Sequence, residues 1–378
     1  MSKLVIVESP AKAKTIKKYL GGDFEVLASF GHVRELPRKK GAVNPDKDFA
    51  MDYQLIAKNA KHINAISKAM QYAEVLYLAT DPDREGEAIS WHLSEILKDQ
   101  QLLLNKPVYR VEFHEITQPA IVNAVANPRS LSTNLINAQK ARLALDYLVG
   151  FTLSPLMWRK VRGKLYARRV QSPALRLIVE REQEIENFKS REYWTVEADC
   201  KKGQQSFIAK LNLFEAKKLT QFSINNEEQA THAKTTLLSL ASKQLQVAKV
   251  EKKQRKRQPS APFTTSTLQQ EAARKLGFTA KQTMQIAQQL YEGVDIGGGA
   301  VGLITYMRTD SVNLASEAIA EIREVIGTLY GTENLPKQPR QYKTKSKNAQ
   351  EAHEAIRPTS AKRYPDDIKN ALTKEQLK

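Results

Sequence analysis

The hydrophobic pattern along the chain changes period several times, and each change marks an element. Residues 3–7, Lys-Leu-Val-Ile-Val, form an apolar run that predicts a short buried strand. The stretch 10–20 has helical spacing and closes at Gly21 and Gly22. A second apolar run, Val-Leu-Tyr-Leu-Ala-Thr at 75–80, predicts another buried strand, with a helix over about 85–98 and a third strand over 108–113 to follow. Apolar strands alternating with helices predict a mostly parallel α/β sheet. Helical periodicity dominates from about 117 to 190. Residues 193–250 are mixed, with strand-like alternation at 194–198 and 206–213 and an amphipathic helix at about 226–242. Further on, Ser266-x-x-Gln269 and Thr279-x-x-Gln282 have capping-box spacing, and Gly277 and Gly293 stop the two helices they begin. The glycines 297–299 then lead into a strand-like run at 303–308, and a helix over about 314–328 follows.

The 378 residues suffice for two to four domains at about 100–200 residues each. An apolar content of 41% with 26% charged residues excludes wholesale disorder and a collagen-like fibre. Cys200 is the single cysteine, so the chain forms no internal disulfide and no four-cysteine zinc site. No apolar run approaches the ~20 residues of a membrane helix, and the apolar run after Lys3 is too short for a signal peptide. A cytoplasmic protein without a membrane partner is expected. The net charge of +18 changes the picture most, because it favours a polyanionic partner, most often nucleic acid. The alternative is a basic surface that only aids solubility. Basic residues crowd the stretch from Arg159 to Arg181, where Glu180 is the only acid and apolar residues are interleaved; a folded phosphate-binding track is expected there. The run Lys252–Arg257, followed by Gln-Pro-Ser-Ala-Pro, reads instead as a linker.

The sharpest chemistry is Asp81-Pro82-Asp83-Arg84-Glu85, directly after the second strand. Ligands of open α/β sheets bind beyond the C-terminal ends of the strands, and the first strand also ends in an acid, Glu8. Four carboxylates at one edge, Glu8, Asp81, Asp83 and Glu85, need a neutralising cation, and hard oxygen ligands favour Mg²⁺. A polar turn with acids capping the next helix is the competing reading. Lys12, in the first turn of the first helix, can reach a phosphate at the same edge. No Gly-x-x-x-x-Gly-Lys-Ser/Thr occurs, so the sequence holds no P-loop. In a strand at 303–308, Tyr306, Arg308 and Asp310 share a face. The guanidinium favours the phenolate and can hold a phosphodiester oxygen, which suits covalent attack by tyrosine on DNA. A core tyrosine is the plainer alternative.

Several segments together resemble the type IA DNA topoisomerases, in their bacterial branch. They are Glu8-Ser-Pro-Ala-Lys-Ala-Lys-Thr15, Asp81-Pro-Asp-Arg-Glu-Gly-Glu87, Arg169-Val-Gln-Ser172, Pro262-Phe-Thr-Thr-Ser-Thr-Leu-Gln269, Gly302-Leu-Ile-Thr-Tyr-Met-Arg-Thr-Asp-Ser311 and Glu351-Ala-His-Glu-Ala-Ile-Arg-Pro358. The resemblance implies a Rossmann-like Toprim domain over 1–116, a helical DNA-binding part over 117–192, an arch or hinge part over 193–258 and a tyrosine domain over 259–378. Together these amount to an incomplete type IA toroid of α/β and α domains. It implies ATP-independent relaxation of negative supercoils, with Tyr306 forming a transient 5′-phosphotyrosine on single-stranded DNA. Arg308 then holds the scissile phosphate, and Glu8 and Lys12 serve proton transfer and charge stabilisation. Asp81, Asp83 and Glu85 hold Mg²⁺ with Glu8 beside it. His32, Arg142, Asp146, Arg159, Arg169, Gln171 and His353 line the DNA path, and Gln288 and Glu292 support the site. A monomer associated with the nucleoid is expected. Family members generally continue for several hundred residues past the histidine segment, so an N-terminal part, apparently truncated, is expected. Arg168 stands where the family usually has glycine, and Leu143 where it usually has a second basic residue. The competing functions are another Toprim Mg²⁺-dependent nuclease or primase, with Tyr306 structural, and an inactive DNA-binding remnant.

Overall fold

A computed structural model of the chain describes residues 2–242, 244–342 and 354–378. They divide into two units, one made of 1–169 with 259–378 and the other of 170–258. Four parallel strands organise the first. β1 (Lys3–Val7) lies between β2 (Phe24–Ala28) and β3 (Val75–Leu78), and β4 (Val108–Arg110) pairs with the far side of β3. Leu4 to Val7 have no exposed surface, which is why β1 reads as an unbroken apolar run: both faces of the sheet are covered. Side chains alternate across the strand. Val5 and Val7 pack with α1 (Pro10–Leu20) and with α4 (Gln118–Ala126), while Leu4 and Ile6 pack with α2 (Ala60–Tyr72) and α3 (Arg84–Asp99).

Two elements of this layer escape the sequence pattern. β2 carries Glu25 inside a five-residue strand, and α2 buries only Ile63, Ile66, Ala69 and Met70. The strands expected at 75–80 and 108–113 stop at 78 and 110. Where they stop, the fully buried Arg110 guanidinium donates to the carbonyls of Leu78, Thr80, Asp81 and Val111 at 2.6–3.0 Å. Glu87 neutralises Arg110 at 2.8 Å and also holds Arg129 at 2.8 Å and the backbone N–H of Ser132 at 2.5 Å. Ser132 in turn caps α5 (Thr133–Lys160). The network therefore joins the sheet to the long helix.

The second unit carries α6 (Gln171–Glu186), a hairpin of β5 (Glu197–Lys202) and β6 (Gln205–Lys210), and α7 (Glu227–Ala241). Its small core gathers Ile224, Ala230 and Ala233 with Val196, Leu211, Phe214 and Leu219. The strands are shifted from the expected 194–198 and 206–213. The basic stretch expected at 159–181 runs across the boundary between the units, and its part in α6 buries no residue; Arg176–Glu180 and Arg181–Glu184 pairs lie along that helix's own surface. Residues 244–262 adopt no regular structure, as expected of a linker.

The chain then returns to the first unit with α8 (Thr265–Leu276), α9 (Ala280–Glu292) and α10 (Ser316–Tyr330). The cap of α8 is Thr264 with Thr267, not Ser266 with Gln269; Thr279 caps α9 as expected. The run 303–308 forms no strand. Its N–H groups are spread over several partners: Leu303 donates to Leu290, Thr305 to Arg357 and Tyr306 to His114. No single neighbour offers a ladder.

Burial pushes the Glu87 carboxyl up, but Arg129, Arg110 and the Ser132 N–H outweigh it and hold the group down at about 2. Its ordinary value is 4.5, so its stabilising effect is complete above pH 4.5 and is lost as the pH falls towards 2. Glu87→Gln leaves Arg110 buried without a counter-charge and should cost about 3–5 kcal/mol. Urea unfolding at pH 7 measures the loss, and the variant's stability should vary less than the parent's between pH 4.5 and 3.

Candidate active site

The site forms where β1 and β3 end. Because these strands are parallel neighbours in register, Glu8 and Asp81 emerge side by side. The Asp81 N–H donates to Glu8 Oε1 at 3.3 Å. Lys12, one turn into α1 and 1% exposed, forms a buried ion pair with Asp81. Burial, and after it the charge of Asp81, pushes the Glu8 carboxyl up to about 8, so Glu8 carries a proton at neutral pH. Asp83 caps α3, its Oδ1 accepting the Gly86 N–H at 2.8 Å. Glu85 Oε1 lies 2.9 Å from His32 Nε2, and this hydrogen bond, with Arg308 close by, holds its carboxyl down at about 2.

The tyrosine segment meets this loop from across the sequence. The Tyr306 hydroxyl donates to Asp83 Oδ2 at 2.8 Å, and Arg308 Nη1 lies 3.0 Å from Glu85 Oε2 and 3.5 Å from Asp83 Oδ2. The expected convergence of Tyr306 and Arg308 is present, though without a strand to produce it; Asp310 is exposed. Tyr306 is 2% exposed. Burial first, then Asp81 and Asp83, push its phenol well above the usual range, while Arg308 acts in the opposite direction. On α9, Gln288 Nε2 donates to Glu292 Oε1 at 2.9 Å, and the same oxygen accepts from the Ser9 hydroxyl at 2.9 Å, which anchors α9 beside Glu8.

The remaining expected residues are placed less centrally. Arg169 is paired with Asp146 through two hydrogen bonds at 2.7 and 3.2 Å, and Arg142 and Arg159 are exposed on α5. Gln171 opens α6 in the second unit, and His353 lies outside the described residues. Sequence reasoning missed Tyr291, Ser9 and Arg110. Tyr291 could have been found, since it shares a face of α9 with Gln288 three positions earlier. Its ring lies 5.2 Å from that of Tyr306, and the Lys12 ammonium stands 5.1 Å from its centroid.

Known proteins resemble this chain in sequence and fold. Residues 3–116 match the Toprim domain, and residues 130–378 match the DNA topoisomerase family. The chain belongs to the type IA DNA topoisomerases. It is 59% identical to DNA topoisomerase 1 of Xylella fastidiosa over 374 residues, 99% of this chain and 46% of the relative. To DNA topoisomerase 1 of Rickettsia prowazekii it is 59% identical over 378 residues, 100% of this chain and 48% of the relative. The solved full-length topoisomerase I of Thermotoga maritima superposes with a TM-score of 0.79 at 38% identity, over 99% of this chain and 58% of that one. The chain thus spans about half the length of the curated relatives it matches. Among the described residues, no helix is long and apolar enough to cross a membrane.

Type IA topoisomerases with a Toprim domain are generally metal-dependent. Among the described residues, no group of three or more His, Cys, Asp or Glu side chains is gathered closely enough to hold an ion unaided. Asp83 and Glu85 do converge on one Arg308 nitrogen, so a cation already stands between them. The Tyr291 hydroxyl, wholly buried with Asp81, Glu8 and Asp83 as its charged neighbours, has no hydrogen-bond partner. The carboxylates of Asp83 and Glu85, with Asp81 on the same loop, are hard oxygen donors of the kind that a divalent ion keeping most of its waters would use.

The loop carrying these acids leaves no room at Gly86, where a Cβ would come within 2.9 Å of the Asp81 backbone N and C. Gly86→Ala must therefore displace the loop, at about 1–3 kcal/mol. A thermal melt should show the loss, and an unchanged Tm would contradict this packing.

Proposed function

We propose that this chain carries the DNA-cleaving centre of an ATP-independent type IA topoisomerase, which relaxes negative supercoils by opening one strand, passing the other and resealing the break. One observation supports the reading above all. Tyr306 and Arg308 stand within hydrogen-bond reach of Asp83 and Glu85, 223 residues away in sequence. A buried tyrosine among carboxylates with a guanidinium beside it suits nucleophilic attack on a phosphodiester far better than it suits a core position.

In this reading the Tyr306 oxygen attacks phosphorus, the phenolic proton leaves towards Asp83 Oδ2, and the P–O3′ bond breaks. The departing 3′-oxygen takes a proton from Glu8, which carries one at neutral pH, while the Lys12 ammonium, paired with Asp81, balances the charge. Arg308 holds the phosphate oxygens. Mg²⁺, when bound at Asp83 and Glu85 with Asp81 nearby, supplies positive charge for the DNA phosphates. The reverse attack by the 3′-hydroxyl reseals the strand, so bond energy is conserved and no nucleotide is needed.

A cleft of about 620 Å³ shares His32 with the site, since His32 lines it and also contacts Glu85, and it supports a single-stranded substrate. Its walls carry Phe30, Tyr53, Trp91, Tyr147 and Phe151. Arg34 stands 5.5 and 5.4 Å from the Tyr53 and Trp91 ring centroids, with its Nε donating to His92 Nδ1 at 2.9 Å. Burial pushes His92 down to about 3, so it stays neutral and keeps that acceptor. Aromatic faces interleaved with cations are what unpaired bases and their backbone need. The domain limits 1–116, 117–192, 193–258 and 259–378, a monomeric state and a nucleoid location complete the proposal. His32, Arg142, Asp146, Arg159, Arg169, Gln171 and His353 remain its DNA-contact residues, with Gln288 and Glu292 in support.

The test uses single-stranded DNA carrying a label on the 5′-phosphate side of the break, with Mg²⁺ and alkaline denaturation. Label should stay on the protein and vanish in Tyr306→Phe, and Arg308→Ala should lower the yield at least tenfold. Cleavage that survives in Tyr306→Phe would point to a Toprim nuclease instead. DNA binding without any adduct would point to an inactive remnant.

A further inference from the structure

Every oxygen of Asp83 and Glu85 is already engaged by the protein. Asp83 Oδ1 accepts the Gly86 N–H, and Oδ2 accepts the Tyr306 hydroxyl, with Arg308 at 3.5 Å. Glu85 Oε1 faces His32, and Oε2 faces Arg308 at 3.0 Å. A divalent cation reaching these two carboxylates cannot share them with Arg308, because two positive groups within a few ångströms repel and both need the same lone pairs. Arg308 is half exposed and sits on an irregular segment, so its side chain is free to swing outward.

We infer that Arg308 is an internal competitor of the divalent cation, so that metal binding at Asp83 and Glu85 and transfer of Arg308 to a DNA phosphate are one coupled exchange. The inference rests on the cleavage reading above and adds regulation to the same site. A guanidinium with an adequate alternative partner gives up the carboxylates more readily. A phosphodiester therefore strengthens cation binding, and by reciprocity the cation strengthens phosphodiester binding. Without DNA, Arg308 keeps the acidic pair neutralised and cation affinity low. The cost of assembling the site is thus met only when both substrate and ion are present. His32 is the weaker competitor, since it engages Glu85 alone.

Mn²⁺ titrations of the full chain, followed by electron paramagnetic resonance or calorimetry, test this without reading activity. The parent, Arg308→Ala, Arg308→Lys and Asp83→Asn are compared, each with and without a short single-stranded oligonucleotide. The oligonucleotide should tighten Mn²⁺ binding to the parent several-fold. Arg308→Ala should bind Mn²⁺ roughly tenfold more tightly than the parent without DNA, and the oligonucleotide should then add little. Arg308→Lys, which keeps the charge, should stay near the parent value. Thermal melts confirm that each variant is folded. If Asp83→Asn abolishes binding but Arg308→Ala leaves it unchanged or weaker, the exchange is overturned while the cleavage reading stands. If Asp83→Asn leaves Mn²⁺ binding intact, the ion does not occupy this pair and the exchange is overturned, while the DNA adduct and its loss in Tyr306→Phe decide the cleavage reading separately.

Discussion

The first unit is arranged around one electrostatic constraint: four carboxylates must coexist at the ends of two neighbouring parallel strands. Register fixes the problem, since β1 and β3 deliver Glu8 and Asp81 to adjacent positions and the turn into α3 adds Asp83 and Glu85. Like charges this close cannot all ionise unaided. Each finds a different remedy. Glu8 keeps its proton, Asp81 takes the buried Lys12, Asp83 takes two hydrogen-bond donors, and Glu85 takes His32 and Arg308. Because Tyr306 and Arg308 come from the far end of the sequence, balancing the charge also docks the tyrosine segment on the sheet.

The same loop is held from behind. Arg110 is wholly buried and spends its donors on the carbonyls of Leu78, Thr80, Val111 and Asp81. It thereby fixes the backbone from which the acids project, and Glu87 supplies its counter-charge. The glycine at 86 lets α3 begin directly against Asp81. A backbone held by Arg110 on one side and ionic partners on the other are complementary: in the proposed exchange the acids would stay in place while the groups facing them change.

How much of this could be read from the chain follows the range of the interactions. β1, β3 and the acids after them are local patterns, an apolar run followed by carboxylates, and parallel pairing brings the two ends together. β2 was illegible because a charged Glu25 interrupts a short run, and its strand character comes from pairing with β1 along five residues. The tyrosine run looked like a strand because its composition is right, yet its N–H groups are taken by Leu290, His114 and Arg357 in turn. Only a three-dimensional arrangement could reveal that. The carboxylate pattern alone asks for a neutralising cation; in the structure Lys12 stands beside Asp81 and Arg308 beside Asp83 and Glu85. Those partners lie 69 and 223 residues from their acids, beyond any local pattern.

Arg308 also resolves an apparent conflict at Tyr306. Burial and the nearby aspartates make the phenol harder to ionise, and Arg308 is the group that opposes them. If the guanidinium left the acids for solvent, the tyrosine would lose that help at the moment it must react. In the proposed reaction, however, the phosphate that would receive Arg308 is the one that the phenolic oxygen would attack. The guanidinium would then stay close to that oxygen, first through its place next to Asp83 and then across the phosphate. On that reading the group given up by the carboxylates remains with the nucleophile, so binding the substrate and activating the tyrosine draw on a single charge.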